Sequence, residues 1–181
     1  IFLVEGYMDV VGLSKNGIEN AVANLGTSLT DQQILILNQF FDDIIICFDG
    51  DESGYKAALR AAENSIKDLK PEKQISFLFL PEKEDPDSFV NKNGKNYFLD
   101  FSKQSKIPVH QFIFRHYKKQ TKNNPSSMAV FEKKLRSIAN TVKDNFIKKY
   151  ILEYFLEKIA ELTPNISQNK NYKFKKKVKS L

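Results

Sequence analysis

A disulfide framework, a zinc cluster and a membrane span are each excluded by what this 181-residue sequence lacks. It has one cysteine, Cys47, and two histidines, His110 and His116, too few ligands for a Cys/His zinc site. A single thiol inside the apolar run Ile44–Phe48 reads as a small buried side chain of a reduced compartment. No apolar run approaches the roughly 20 residues needed to cross a bilayer. The opening Ile1-Phe2-Leu3-Val4 has no Met and no charged segment before it, so a secretory leader is not expected there. It reads as a buried strand, and the chain is therefore expected to continue upstream. No internal repeat is present. A cytoplasmic protein without membrane partners is expected.

Hydrophobic residues make up 41% of the chain, and 15 phenylalanines are enough for a real core in one domain or one domain with an appendage. The net charge of +6 conceals two halves of opposite sign. Residues 1–100 carry 9 Lys/Arg against 17 Asp/Glu, a formal −8, whereas residues 101–181 carry 19 against 5, a formal +14. One half gathers carboxylates and the other can attract polyanions, which points towards nucleic acid.

Apolar runs at 1–4, 21–25, 44–48 and 75–80 read as strands. Helical patterns lie between them at 9–15, 30–40 and 53–69. Thr30 and Gln33 form a capping-box signature, and the last of these helices stops before Pro71. Such alternation predicts an α/β fold, a parallel sheet with helices on both faces and right-handed crossovers. From Pro108 onwards the spacing is helical, over 109–119, 128–142 and 146–162, which predicts a small all-α subdomain. The expected organisation is a metal-binding α/β domain over 1–100, a helical subdomain over 101–164 and a basic tail over 165–181. Residues 170–181 contain six lysines and no acid. A solvated linker is one reading of this tail, and contact with nucleic acid through Tyr172 and Phe174 is the other.

In open parallel sheets ligands bind beyond the carboxyl ends of the strands. Here those ends are acidic: Glu5 after the first strand, Asp49-Gly50-Asp51 after the third, and Glu84-Asp85-Pro86-Asp87 after the fourth. Residues two apart on an extended chain share a face, so Asp49 and Asp51 can address one ion. Carboxylates gathered on one rim repel each other unless a cation holds them, and hard divalent cations prefer oxygen ligands.

Simpler readings accompany several positions. Glu5 could be a solvated loop acid, and Asp49-Gly50-Asp51 a plain turn. Asp85 before Pro86 suits a helix N-cap, Asp87 a first-turn acid facing the helix dipole, and Asp9 a cap that also faces the ion. Gly26, Thr27 and Ser28 form either a turn or a set of amides that bind phosphate. Lys56 and Arg60 are either a solvated helix face or phosphate contacts. Both histidines suit surface or packing positions.

The segments Glu5-Gly6-Tyr7-Met8-Asp9, Leu25-Gly26-Thr27-Ser28, Asp49-Gly50-Asp51-Glu52-Ser53-Gly54 and Glu84-Asp85-Pro86-Asp87, in that order, resemble bacterial DNA primase of the DnaG type. The likeness is to the TOPRIM half of its RNA-polymerase domain and the helices after it. A Glu followed by a DxD is shared with topoisomerases, recombination proteins and nucleases of the TOPRIM group, and the other segments narrow it to primase. The likeness is strong over 1–100, rests on helical character over 101–162, and hardly reaches the tail.

The resemblance implies a nucleotidyltransferase that makes short RNA primers from NTPs on a single-stranded DNA template at the replisome. Glu5, Asp49 and Asp51 would be catalytic metal ligands for Mg2+, with Mn2+ as the alternative. Asp9, Asp85 and Asp87 would be further acids at the same centre. No covalent nucleophile is required. The family's zinc module and basic subdomain would lie upstream of Ile1, and its helicase-binding domain downstream. By itself the segment is expected to be weakly active or inactive, and to hold no zinc. Two other functions remain open at this point: a TOPRIM nuclease or topoisomerase piece, and a non-catalytic nucleic-acid-binding module with a structural ion.

Overall fold

The computed structural model describes residues 1–24 and 29–162. Its centre is a five-stranded sheet of β1 (Phe2–Val4), β2 (Ala21–Ala23), β3 (Asp43–Phe48), β4 (Gln74–Phe79) and β5 (Ile107–Pro108), in the order β2-β1-β3-β4-β5. The first four strands are parallel, and β5 pairs antiparallel with β4 through Phe77 and Ile107. The sheet is therefore mixed rather than wholly parallel. A two-residue strand has no periodicity to read, and β5 is visible only where it closes the open edge of β4.

Eight helices flank the sheet among the described residues: α1 (Tyr7–Lys15), α2 (Asp31–Phe40), α3 (Glu52–Ser65), α4 (Pro86–Asn93), α5 (Lys95–Ser105), α6 (Val109–Lys119), α7 (Pro125–Thr141) and α8 (Asn145–Leu162). Thr30 caps α2 as its sequence predicts. The Gln33 N–H donates to the Thr30 hydroxyl at 3.3 Å, and the Thr30 N–H donates to the Gln33 side-chain oxygen at 2.9 Å. The third helix, expected to reach Leu69, ends at Ser65 and tightens into a 3-10 turn at Ile66–Asp68. Two helices fill the expected acidic loop and the stretch after it. They are separated by Gly94, whose φ of +82° interrupts the helical path at a position suited to glycine.

Alternation along the strands divides the core in two. Ile44, Ile46 and Phe48 of β3 face one apolar cluster with Ala58 and Ala62 of α3, while Ile45 and Cys47 face another with Leu13, Phe89 and Phe98. Burial on both faces explains why β3 reads as a continuous apolar run. The first cluster runs on through Phe112 and Ile113 of α6 and Leu135 of α7 to Phe155 of α8. The C-terminal helices and the sheet thus share one core. Phe77 is fully buried and stacks on Phe48 and Phe112, and burying such a ring contributes about 1.5–3 kcal/mol.

The strand order positions the site. From β1 the chain steps outward to β2, then crosses back to pair β3 on the other side of β1. The direction of winding reverses between β1 and β3, and a crevice opens beyond their carboxyl ends.

Candidate metal centre

Glu5 follows β1 and Asp49 follows β3, so these two carboxylates stand at that reversal. Glu5 accepts the backbone N–H of Asp49, which ties the two loops together. Gly50 is required by close approach. A Cβ there would lie 2.3 Å from the Pro81 carbonyl oxygen and 2.6 Å from that of Leu80. The turn after β3 therefore presses against the chain leaving β4, which brings the acids of Glu84–Asp87 to the same rim.

The other carboxylates are oriented by backbone donors. Asp51 is the N-cap of α3, and its Oδ1 accepts the Gly54 N–H at 2.6 Å. Asp85 is the N-cap of α4, where its Oδ1 accepts the Ser88 N–H at 2.7 Å and Pro86 occupies the first turn. Asp9, at the third position of α1, accepts the Gly6 N–H at 3.0 Å and also the backbone N–H of Asp87. The Asp87 side chain accepts from the Asn91 amide at 2.8 Å. A carboxylate has about four acceptor sites, so each cap leaves lone pairs for another partner.

The electrostatics show mutual proximity. Partial burial, then repulsion from Glu5, Asp9, Asp85 and Asp51, raises the Asp49 carboxyl to about 6. Glu5 is raised by burial, opposed by the Asp49 N–H and reinforced by Asp51 and Asp9. Asp9 is raised by burial, against the Gly6 hydrogen bond, with Asp85 adding to the rise. Burial raises the Cys47 thiol strongly, so it is no nucleophile at neutral pH.

These donors are all oxygens, and they fit a hard divalent cation. Among the described residues, however, no three or more His, Cys, Asp or Glu side chains are grouped closely enough to hold a metal ion. A cation held by one or two of these acids would need water or substrate oxygens to complete its shell.

Of the remaining sequence candidates, Gly26, Thr27 and Ser28 lie outside the described residues. Lys56 is exposed on α3 and pairs with Glu52 at 2.6 Å, one turn away. His110 packs edge-on to Tyr154, and His116 Nδ1 lies 3.2 Å from the Tyr55 hydroxyl. Three cations of α6 that no sequence motif marks, Arg115, Lys118 and Lys119, line a cleft beside Asp49 and Asp51. Their spacing of three and four residues was the available signal, since it places them on one helix face. Among the described residues no helix is long and apolar enough to cross a membrane.

Comparison with known proteins agrees with this geometry. The Toprim domain family matches residues 1–79. The DNA primase of Neisseria meningitidis serogroup A is 46% identical over 116 residues, which is 64% of this chain and 20% of that protein. A solved DnaG catalytic core is similar with a TM-score of 0.84 and 35% identity, over 88% of this chain and 52% of that one. A DnaG primase catalytic domain bound to ssDNA is similar with a TM-score of 0.82 and 34% identity, over 87% of this chain and 51% of that one. The chain spans about one fifth of the curated relative and about half of each solved chain. Residues 1–79 form a Toprim domain, and the chain is a homologue of the Toprim-bearing half of the DnaG-type DNA primase catalytic core.

Proposed function

We propose that this chain is the metal-holding part of a polymerase that makes short RNA primers from NTPs on single-stranded DNA, with a replicative helicase as a further partner. The observation that carries the reading is the convergence of Glu5, Asp49 and Asp51 on the reversal between β1 and β3, in a chain homologous to primase cores. The relative bound to ssDNA supports the template class.

In this reading Glu5, Asp49 and Asp51 hold Mg2+ or Mn2+, with Asp9, Asp85 and Asp87 around them. Ions held there would supply charge neutralisation for the triphosphate and the departing pyrophosphate, and would favour the deprotonated primer 3′-hydroxyl as its bond to the α-phosphorus replaces the bond to pyrophosphate. The protein supplies position. The Asp49 N–H fixes Glu5, contact with Pro81 seats the Gly50 turn, and the two caps hold Asp51 and Asp85 at helix starts. Raised carboxyls that lose their protons on binding make cation affinity increase with pH. No side chain at the rim needs to form a covalent intermediate.

The test is RNA synthesis on single-stranded DNA by a polymerase carrying this segment within its full catalytic core. Glu5→Gln and Asp49→Asn should each abolish Mg2+-dependent synthesis, and retained synthesis in either would remove its metal role. Cutting of supercoiled DNA by the unaltered protein would move the reading to a DNA-breaking enzyme.

A further inference from the structure

Two of the rim acids stand on helices that face each other, Asp9 on α1 and Asp87 in the first turn of α4. On the α1 side, Asp9, Gly12 and Asn16 follow at intervals of three and four residues, and on α4 Asp87 and Asn91 are four apart. Such intervals bring each set onto one face of its helix.

Three contacts join the two faces in order. Nearest the rim, the Asp87 N–H donates to the Asp9 carboxylate. Next, the Asp87 side chain lies so close over Gly12 that a Cβ there would stand 1.9 Å from its Oδ1 and 2.6 Å from its Cγ. Last, the Asn91 amide donates to Asp87 Oδ1 at 2.8 Å, and the Asn16 amide donates to Asn91 Oδ1 at 2.9 Å. Asn16 also donates to the Gly12 carbonyl oxygen at 2.9 Å, which returns the chain of hydrogen bonds to α1.

Chemistry sets the direction of this relay. An ionised carboxylate only accepts, so Asn91 must present its NH2 group to Asp87 and its oxygen to Asn16. Asn16 must then present its own NH2 group, whose two donors suffice for Asn91 and the Gly12 carbonyl. Elsewhere α4 is anchored by Phe89 and Val90, both buried in the core. Apolar burial is non-directional, so it holds α4 on the molecule without fixing how far the helix turns or slides. The relay and the close fit over Gly12 supply that register.

We propose that Asn91 and Asn16 are positioning residues of the rim: their relay clasps Asp87 over Gly12 and so keeps its N–H on the Asp9 carboxylate. The proposal rests on the metal reading only for the purpose of the clasp, which is to place two of the acids assigned to the ions. The clasp itself is testable without a metal.

The experiment is amide hydrogen exchange in EDTA, read by NMR on the 181-residue chain. Two neighbouring amides of α4 report on separate contacts, Asp87 on the clasp with Asp9 and Ser88 on the Asp85 cap. Asn91→Leu should speed exchange at Asp87 about fivefold or more, while Ser88 and the melting temperature stay as in the unaltered chain. Asn16→Asp keeps the shape but sets acceptor against acceptor at Asn91, and should give the same pattern. Unchanged exchange at Asp87 in either variant would overturn the proposal. So would equal acceleration at Asp87 and Ser88, the mark of a general loosening of α4.

Mn2+ titration of the same chain reads the purpose. Asn91→Leu should weaken Mn2+ binding about tenfold, and should weaken it no further in an Asp87→Ala background. Unchanged Mn2+ affinity, or equal losses in the two backgrounds, would overturn the positioning role. Failure of the unaltered chain to bind Mn2+ would count against the metal reading instead, and the exchange result would still decide the clasp.

Discussion

The acidic rim and the basic face of α6 lie on either side of one turn, yet they are built in opposite ways. Rim carboxylates are held by backbone N–H groups: Glu5 by Asp49, Asp9 by Gly6, Asp51 by Gly54 and Asp85 by Ser88. Among the described residues the α6 cations have no partner of that kind, and they are exposed on one helix face. In this fold the like charges crowded at fixed positions are mostly the ones that backbone dipoles hold. Cations on long stems relieve crowding by moving apart, at the expense of preorganisation.

The largest test breaks the fixed side. Asp49→Asn in a polymerase carrying this segment should lower RNA synthesis by more than about a hundredfold, or some 2.7 kcal/mol in the barrier, as steady-state primer assays would show. Gly50→Ala should destabilise the fold by about 2 kcal/mol in urea denaturation, because its methyl group meets two carbonyl oxygens at the exit of β4. An unchanged midpoint would mean that the turn is not seated by that contact.

Asp51 caps α3, and one pair of substitutions separates that job from the proposed metal role. Asp51→Ala should cost about 1 kcal/mol of stability through the lost cap. Asp51→Ser should recover most of that stability while Mg2+-dependent synthesis stays lost. Recovery of both would make Asp51 a cap only.

The smallest effect is in pH. The Asp49 carboxyl is raised to about 6 by burial and by its neighbours, so its protonated form is favoured in the folded chain. Its contribution to stability is present below its unfolded value near 4 and is lost as pH rises through 6. In EDTA, the stability of the unaltered chain relative to Asp49→Asn should fall by about 1 kcal/mol between pH 4 and 7, allowing for solvent screening. Adding Mg2+ at pH 7 should reverse part of that loss. A flat difference would show that neither burial nor the neighbouring carboxylates act on Asp49 in the folded chain.

Legibility in the sequence followed the length scale of the signal. The apolar run of β3, the Thr30–Gln33 box and the long periodic helices were readable, because each repeats one preference over several residues or pairs two residues locally. The Toprim assignment rested on four short segments in fixed order, and homology supports it. Features set by contacts distant in sequence were not readable. The antiparallel β5 exists only against β4, and the α6 cations gain meaning only because α6 packs on α3 beside the turn. The capping role of Asp51 lay hidden behind the same residue's apparent service to an ion.

The strand order has a consequence for association. The six-residue strands β3 and β4 are interior, while the two edges are the three-residue β2 and the two-residue β5. Short edge strands offer another chain few unpaired backbone groups to zip onto, so the sheet itself resists edge-to-edge aggregation.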